Sequence, residues 1–427
     1  MKLKTRRKAV VLLTMLLVYS GAQEAAAETT LLPPSALMME QTIQTGDLLD
    51  AAPNVSFDTI SSEEASALAE AMQAYEAPGS SLLVNHAESY FYYEQLDPLS
   101  REIYDIILQI ARDPVSELNI QIMLTPVDPQ TDEFVFSVIR AWFAVTIDHP
   151  ELYWLYPHSG EAEIECIGLP DMVNGRYKVF FMIDQPYVDF EEKMTAFNQA
   201  ADSFLSDIDR SVSQMEIVKQ IHDKLMDLVI YDTDTCERHA VDLAHTAYGV
   251  LVSNTAGVSN CAVCDGYSLA FQYLLQQCGI PATVVYGKGG STPYDMGGHA
   301  WSIVNVDGEW YEVDSTWDDN AIDELMYESL RGSEEYDLWM EFIHDPENRE
   351  KHGHFLFLTS TDTMEHYTAP SDIDWTYTFK NGLGPIDLRP EDCYHVRDSE
   401  GMTSEFETDS AIASLTYLIP QAPNNYK

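Results

Sequence analysis

Cysteine, histidine and aspartate occur along this chain in an order that suits covalent catalysis. Cys264 lies in Cys261-Ala262-Val263-Cys264-Asp265-Gly266-Tyr267, His299 in Gly298-His299-Ala300-Trp301, and Asp314 at the end of Trp310-Tyr311-Glu312-Val313-Asp314. A thiol becomes a nucleophile when a base takes its proton, and an imidazole serves as that base when a carboxylate fixes its tautomer. The same cysteines admit other readings. Cys236 and His239 with Cys261 and Cys264 spell a Cys₃His zinc set, and Cys261 with Cys264 spells a thioredoxin-type pair. Zinc would consume Cys264 and leave the His299 and Asp314 pair without a purpose, and the strand-helix alternation of a thioredoxin fold is missing before the cysteine pair. Cys261 is therefore read as a buried thiol, with a reversible disulfide to Cys264 as the alternative.

These residues need elements to position them. After Cys264, Ala270 with Leu274, and Phe271 with Leu275 and Cys278, repeat at helical spacing; Gly279 then offers a stop and Pro281 forbids continuation. Cys264 thus opens a helix, where free backbone N–H groups and the positive dipole end favour thiolate. A strand is expected at 283–287 and a glycine-rich loop from there to His299. Residues 300–306 and 309–314 flank Asp307-Gly308, the preferred two-residue hairpin turn. That register pairs Asp314 with Trp301 and makes His299 and Asp314 diagonal neighbours on one face.

At this point the residues resemble a family. Cys264-Asp265-Gly266-Tyr267, Gly279-Ile280-Pro281, His299-Ala300-Trp301 and Trp310-Tyr311-Glu312-Val313-Asp314-Ser315-Thr316-Trp317-Asp318 look like the core of bacterial transglutaminase-like proteins. Ile221-His222-Asp223, Tyr231-Asp232 and Thr246-Ala247-Tyr248 resemble that family's lead-in, and Phe355-Leu356-Phe357-Leu358 its final strand. The resemblance implies an α+β, cysteine-proteinase-like fold with the nucleophile helix packed on an antiparallel sheet. It also implies acyl transfer on protein or peptide amides by Cys264, His299 and Asp314 through a thioester, without a cofactor. For the oxyanion it implies the backbone N–H of Cys264 and a second donor near Tyr231. His222 and His245 are expected to pack or hydrogen-bond near the site. The contrasting expectation is an extracellular binding module whose core no longer turns over.

The rest of the chain bounds the setting. Lys2, Lys4, Arg6, Arg7 and Lys8 precede an apolar run, Ala9 to Tyr19, and Ala25-Ala26-Ala27, the pattern of a signal peptide over 1–27. The run is about half the length of a membrane-spanning helix, so an exported protein with no membrane span after signal removal is expected. Losing those five basic residues and one acidic residue takes the net charge from −47 to −51. Such a charge excludes nucleic acid as a partner, because phosphate binding needs clustered Lys and Arg. Residues 28–85 read as a mobile leader with one helix near 62–76. Residues 86–205 form an α+β unit of unknown role, 206–370 the catalytic core, and 371–427 a C-terminal extension ending in a strand near 415–419. Asp314, Asp318, Asp319, Asp323 and Glu324 are read as a solvated acidic face. His352-Gly353-His354 has ligand spacing but no evident partner, so no metal site is expected. His395 reads as a satisfied structural histidine.

Overall fold

The computed structural model describes residues 55–59, 90–112, 120–156, 159, 164–168, 175–183, 189–238, 240–319, 353–372, 376–377, 386–387, 392–397, 403–407, 412–416 and 418–426. The signal sequence, the helix near 62–76, His239, Asp323, Glu324 and His352 lie outside them. All described residues fall within one compact unit, Pro33–Lys427.

Two sheets organise the chain. The first has four strands in the order β1 (Val55–Thr59), β3 (Ile164–Gly168), β4 (Tyr177–Ile183), β2 (Ile120–Thr125), with β1 parallel to β3 and the other pairs antiparallel. β1 lies within the segment read as a mobile leader, where a five-residue run joins a sheet edge that offers free N–H and C=O groups. Helices α1 (Pro98–Arg112) and α2 (Asp132–Asp148) pack together beside this sheet. α3 (Phe190–Ser206) and α4 (Gln214–Leu228) follow. α4 starts where Ser213 accepts a hydrogen bond from the Glu216 N–H, a helix N-cap. Then come β5 (Ile230–Tyr231), α5 (Thr233–Arg238), α6 (Ala247–Leu251) and β6 (Cys261–Ala262).

The second sheet holds the site. α7 (Cys264–Gln277) leads into β7 (Ala282–Thr292), β8 (Asp295–Val306) and β9 (Glu309–Val313), and the sheet runs β10-β13-β7-β8-β9 with all neighbours antiparallel. β10 is His366–Tyr367, just after α8 (Thr361–Glu365), and β13 is Cys393–Arg397. Small hairpins β11 (Thr376–Tyr377) with β12 (Ile386–Asp387), and β14 (Thr403–Glu407) with β15 (Ile412–Thr416), complete the chain.

α7 is buried on every side through its first three turns, which marks it as a central helix rather than an amphipathic surface one. It ends as expected, with Gly279 at φ 72°. The β8–β9 turn has Asp307 at φ 53° and Gly308 at φ 93°, and Val306 pairs with Glu309 and Ser302 with Val313. The expected register is thus present. The glycine-rich stretch is not a loop, however: β7 and β8 continue through it, with a bulge between Gly289 and Thr292. Its glycines answer to close approach. A Cβ on Gly287 would stand 2.2 Å from the Val396 carbonyl oxygen on β13.

Residues before 206 are knit into the core. Gln272 and Gln276, one turn apart on α7, donate to the Ile147 and Asp148 carbonyl oxygens at 2.7 and 3.3 Å. They satisfy C-terminal carbonyls of α2 that have no partner within their own helix. Tyr92 Oη donates to the Val284 carbonyl oxygen on β7 at 3.1 Å. Trp154, Trp301, Tyr267 and Tyr286 are among the large side chains with almost no exposure, each worth roughly 1.5–3 kcal/mol of apolar burial.

Candidate active site

The site assembles where the N-terminus of α7 meets β8. Cys264 is the first residue of α7, after an extended Val263. The following Gly266 explains the Cys-x-Gly spacing, because a Cβ there would lie 2.3 Å from the Ala244 carbonyl oxygen. Only hydrogen fits where residues 243–246 cross the helix. Ser268, one turn on, ties the helix to β8: its Oγ donates to the carbonyl oxygens of Cys264 and Ala300 at 2.9 and 3.2 Å. The Cys264 sulfur takes a hydrogen bond from the Ala300 backbone, one residue beyond His299.

On the sheet, His299 Nε2 meets Asp314 Oδ2 at 2.6 Å. Asp314 is fully buried, and its Oδ1 accepts from the Thr316 and Trp317 N–H groups at 3.0 and 3.1 Å. Burial alone would raise its pKa, but the imidazoles of His299 and His395 outweigh that and hold the carboxyl well below the usual range. It is an anion at every ordinary pH. Trp317 stacks on the His299 ring at 5.0 Å between centroids. With Nε2 committed to Asp314, Nδ1 is the ring nitrogen left to act as a base.

Burial pushes the Cys264 thiol pKa well above its usual value, with the Asp265 charge adding to the rise. The helix end, expected to favour thiolate, is opposed by this burial. A dipole end contributes about 0.3–1 kcal/mol at exposed sites and up to about 2 in partly buried ones. Full burial shifts a pKa by up to about 3–5 units, at about 1.4 kcal/mol per unit, and so it wins. Burial and Asp265 together favour the thiol over the thiolate.

The neighbours of Cys264 form their own network. Asp265 meets His245 Nδ1 at 2.9 Å and accepts from Tyr156 Oη at 3.2 Å, so His245 sits near the site. Tyr231, buried on β5, donates through Oη to Cys236 Sγ at 3.3 Å, and both act electrostatically on or with Cys264. The Cys261 thiol is turned to Asp232, and burial with that carboxylate pushes its pKa up to about 12. All six cysteines are free.

His395 is the residue sequence reasoning missed. β13 brings its Nε2 within 2.9 Å of Asp314 Oδ2, and its Nδ1 faces the Met364 carbonyl oxygen at 3.0 Å. Two acceptors facing one ring favour the imidazolium, whereas burial, aided by His299, lowers its pKa despite Asp314. Nothing local announces this role: one histidine in a five-residue strand, 81 residues beyond its partner, carries no spacing signal.

The acidic group at 314–319 is not a solvated face. Asp314, Asp318 and Asp319 are buried. Asp318 Oδ1 accepts from the Leu356 N–H at 2.8 Å, and Asp319 Oδ2 from Tyr267 Oη at 2.8 Å. Residues 353–360 run beside β9 through a single bridge, Glu312 to Thr359, and not as the expected strand at 355–358. Among the described residues, two clusters have ligand atoms close enough to share a cation: His299, Asp314 and His395, and His222, Asp223 and His354. The first is the His299 and Asp314 pair of the candidate site with His395.

Residues 203–315 match the model of the transglutaminase-like superfamily. The chain is 33% identical over 67 residues to mouse kyphoscoliosis peptidase, and 32% over 69 residues to the human protein. Each match covers 14% of this chain, which thus spans about a tenth of the length of these relatives. A solved TGase aligns over 36% of this chain and 51% of its own at 17% identity, with a TM-score of 0.24. Residues 203–315 are thus similar to the core of the transglutaminase-like superfamily, and the described elements around them are helices packed with antiparallel sheet, an α+β arrangement.

Proposed function

We propose that the protein is an exported cysteine-nucleophile enzyme acting on protein or peptide amides. The observation that carries this is the 2.6 Å contact of His299 with a buried, ionised Asp314, one residue from the backbone that holds the Cys264 sulfur. In this reading His299 Nδ1 takes the thiol proton as sulfur attacks the carboxamide carbon. The tetrahedral oxygen accepts from the Cys264 N–H and from Tyr231 Oη. Collapse releases the amine, which takes the proton from His299, and leaves a thioester; water then regenerates the thiol and releases acid. Coupling proton removal to attack suits a thiol that is neutral at rest.

Hydrolysis is favoured over amine cross-linking because water is always present to accept the acyl group from the thioester. Incubation with a glutamine-containing protein, with and without a labelled primary amine, tests both points. The expected result is cleavage or deamidation with little label incorporated. Incorporation outpacing hydrolysis overturns the choice of acceptor, and turnover surviving in Cys264→Ala overturns the site. In the same assay Tyr231→Phe is expected to lose about 10²–10³-fold in turnover; near-normal turnover removes Tyr231 from the oxyanion site and leaves the other three in place.

A further inference from the structure

A second group of ligating side chains lies on α4, outside the triad. Asp223 Oδ1 is 2.5 Å from His354 Nε2 and 3.5 Å from His222 Nδ1. One ligand atom from each residue lies within 4.8 Å of the others. The opposite edge of the His222 ring faces Asp318: Nε2 and Oδ2 stand 3.3 Å apart, both buried, and neither completes a hydrogen bond among the described residues. An imidazole with one nitrogen turned into a His–Asp cluster and the other toward a buried carboxylate has the outer-shell arrangement of a metal ligand.

We propose that His222 Nδ1, Asp223 Oδ1 and His354 Nε2 bind a zinc-class divalent cation, with Asp318 orienting the His222 ring. Two imidazoles and one carboxylate suit zinc and its neighbours, whereas calcium takes six to eight oxygens. Tetrahedral zinc with bonds of about 2.0–2.1 Å sets its ligand atoms roughly 3.3 Å apart. His222 and Asp223 already have that spacing, and His354 needs only to withdraw from Asp223 by less than about 1 Å. Lys219 Nζ holds the other Asp223 oxygen at 2.8 Å, which leaves Oδ1 for the cation. The ion would tie α4 to residues 353–360, which border β9. The sequence reading found no partner for His354 because His222 and Asp223 precede it by about 130 residues.

The test uses the full chain, stripped with a chelator and titrated with zinc chloride by calorimetry, with thermal melting in parallel. One zinc per chain and a raised melting midpoint are expected. His354→Ala and Asp223→Asn should lose both effects while keeping the parent's circular dichroism. Asp318→Asn should weaken binding about 10–100-fold. Lys219→Ala should tighten it, since an ammonium competes with the cation, whereas a plain hydrogen-bond network predicts no change. Cys236→Ser and Cys264→Ala should bind as the parent does. No saturable binding, unchanged binding in both His354→Ala and Asp223→Asn, or loss of binding in either cysteine variant overturns the proposal.

Discussion

At Cys264 two influences oppose each other, and their sizes decide the resting state. The helix end stabilises thiolate by at most about 2 kcal/mol, while burial and Asp265 push the pKa well above the usual cysteine value. Thiolate is the reactive form, so alkylation accelerates as pH rises toward the thiol pKa. Iodoacetamide labelling of Cys264, followed by mass spectrometry, is expected to be slow at pH 7 and still rising at pH 9. A plateau near pH 7 would instead mean a preformed thiolate–imidazolium pair. The same competition explains what was legible at this scale. Cys264, His299 and Asp314 could be placed because a helix start and a two-residue turn are encoded by neighbouring residues. The protonation state could not, because it depends on groups such as Asp265, Cys236 and the Ala300 backbone that burial brings together.

Among the elements, local signals located α7 and the β8–β9 hairpin, yet the strand that completes the sheet escaped. β13 joins β7 through Tyr394–Gly290, His395–Gly289, Val396–Lys288 and Arg397–Gly287. Glycine in the β7 segment reads as loop by composition, but here it makes room for a neighbouring backbone. Arg397 then crosses to an ion pair with the buried Glu312 of β9, whose other oxygen accepts from Trp301 Nε1 at 2.5 Å. Gly287→Ala places a methyl group 2.2 Å from the Val396 oxygen and 3.0 Å from Trp301. Forced repacking of this kind costs about 1–3 kcal/mol. Urea unfolding should show a loss of that size, together with lower turnover as His395 is drawn away from Asp314. Stability equal to the parent's would mean that β13 yields without cost.

Across the whole molecule, the segment before residue 206 is joined to the core by buried polar contacts that composition does not reveal. Asp148 is the centre of one such junction: it accepts from the Tyr92 and Tyr93 N–H groups at 3.0 and 2.9 Å and from Tyr104 Oη at 3.2 Å, beside His149. Burial nevertheless dominates and raises its pKa to about 6. A raised carboxyl pKa means that the folded state holds a proton the unfolded chain has released. The resulting stability is complete below about pH 4 and is lost as pH rises through about 6. The loss amounts to roughly 3 kcal/mol at about 1.4 kcal/mol per pKa unit. Asp148→Asn, which cannot titrate, should therefore gain on the parent by about that much between pH 4 and pH 7 in denaturant unfolding. A constant difference across that range would place the Asp148 pKa near its unfolded value.

β13 also has a consequence for incomplete chains. The three residues of the proposed triad are all in place by Asp314, but the second imidazole on that aspartate arrives only at His395. A polypeptide stopped short of residue 393, whether by interrupted synthesis or by cleavage, retains nucleophile, base and acid yet leaves the acid with one imidazole in place of two. The arrival of β13 is thus registered at the carboxylate itself.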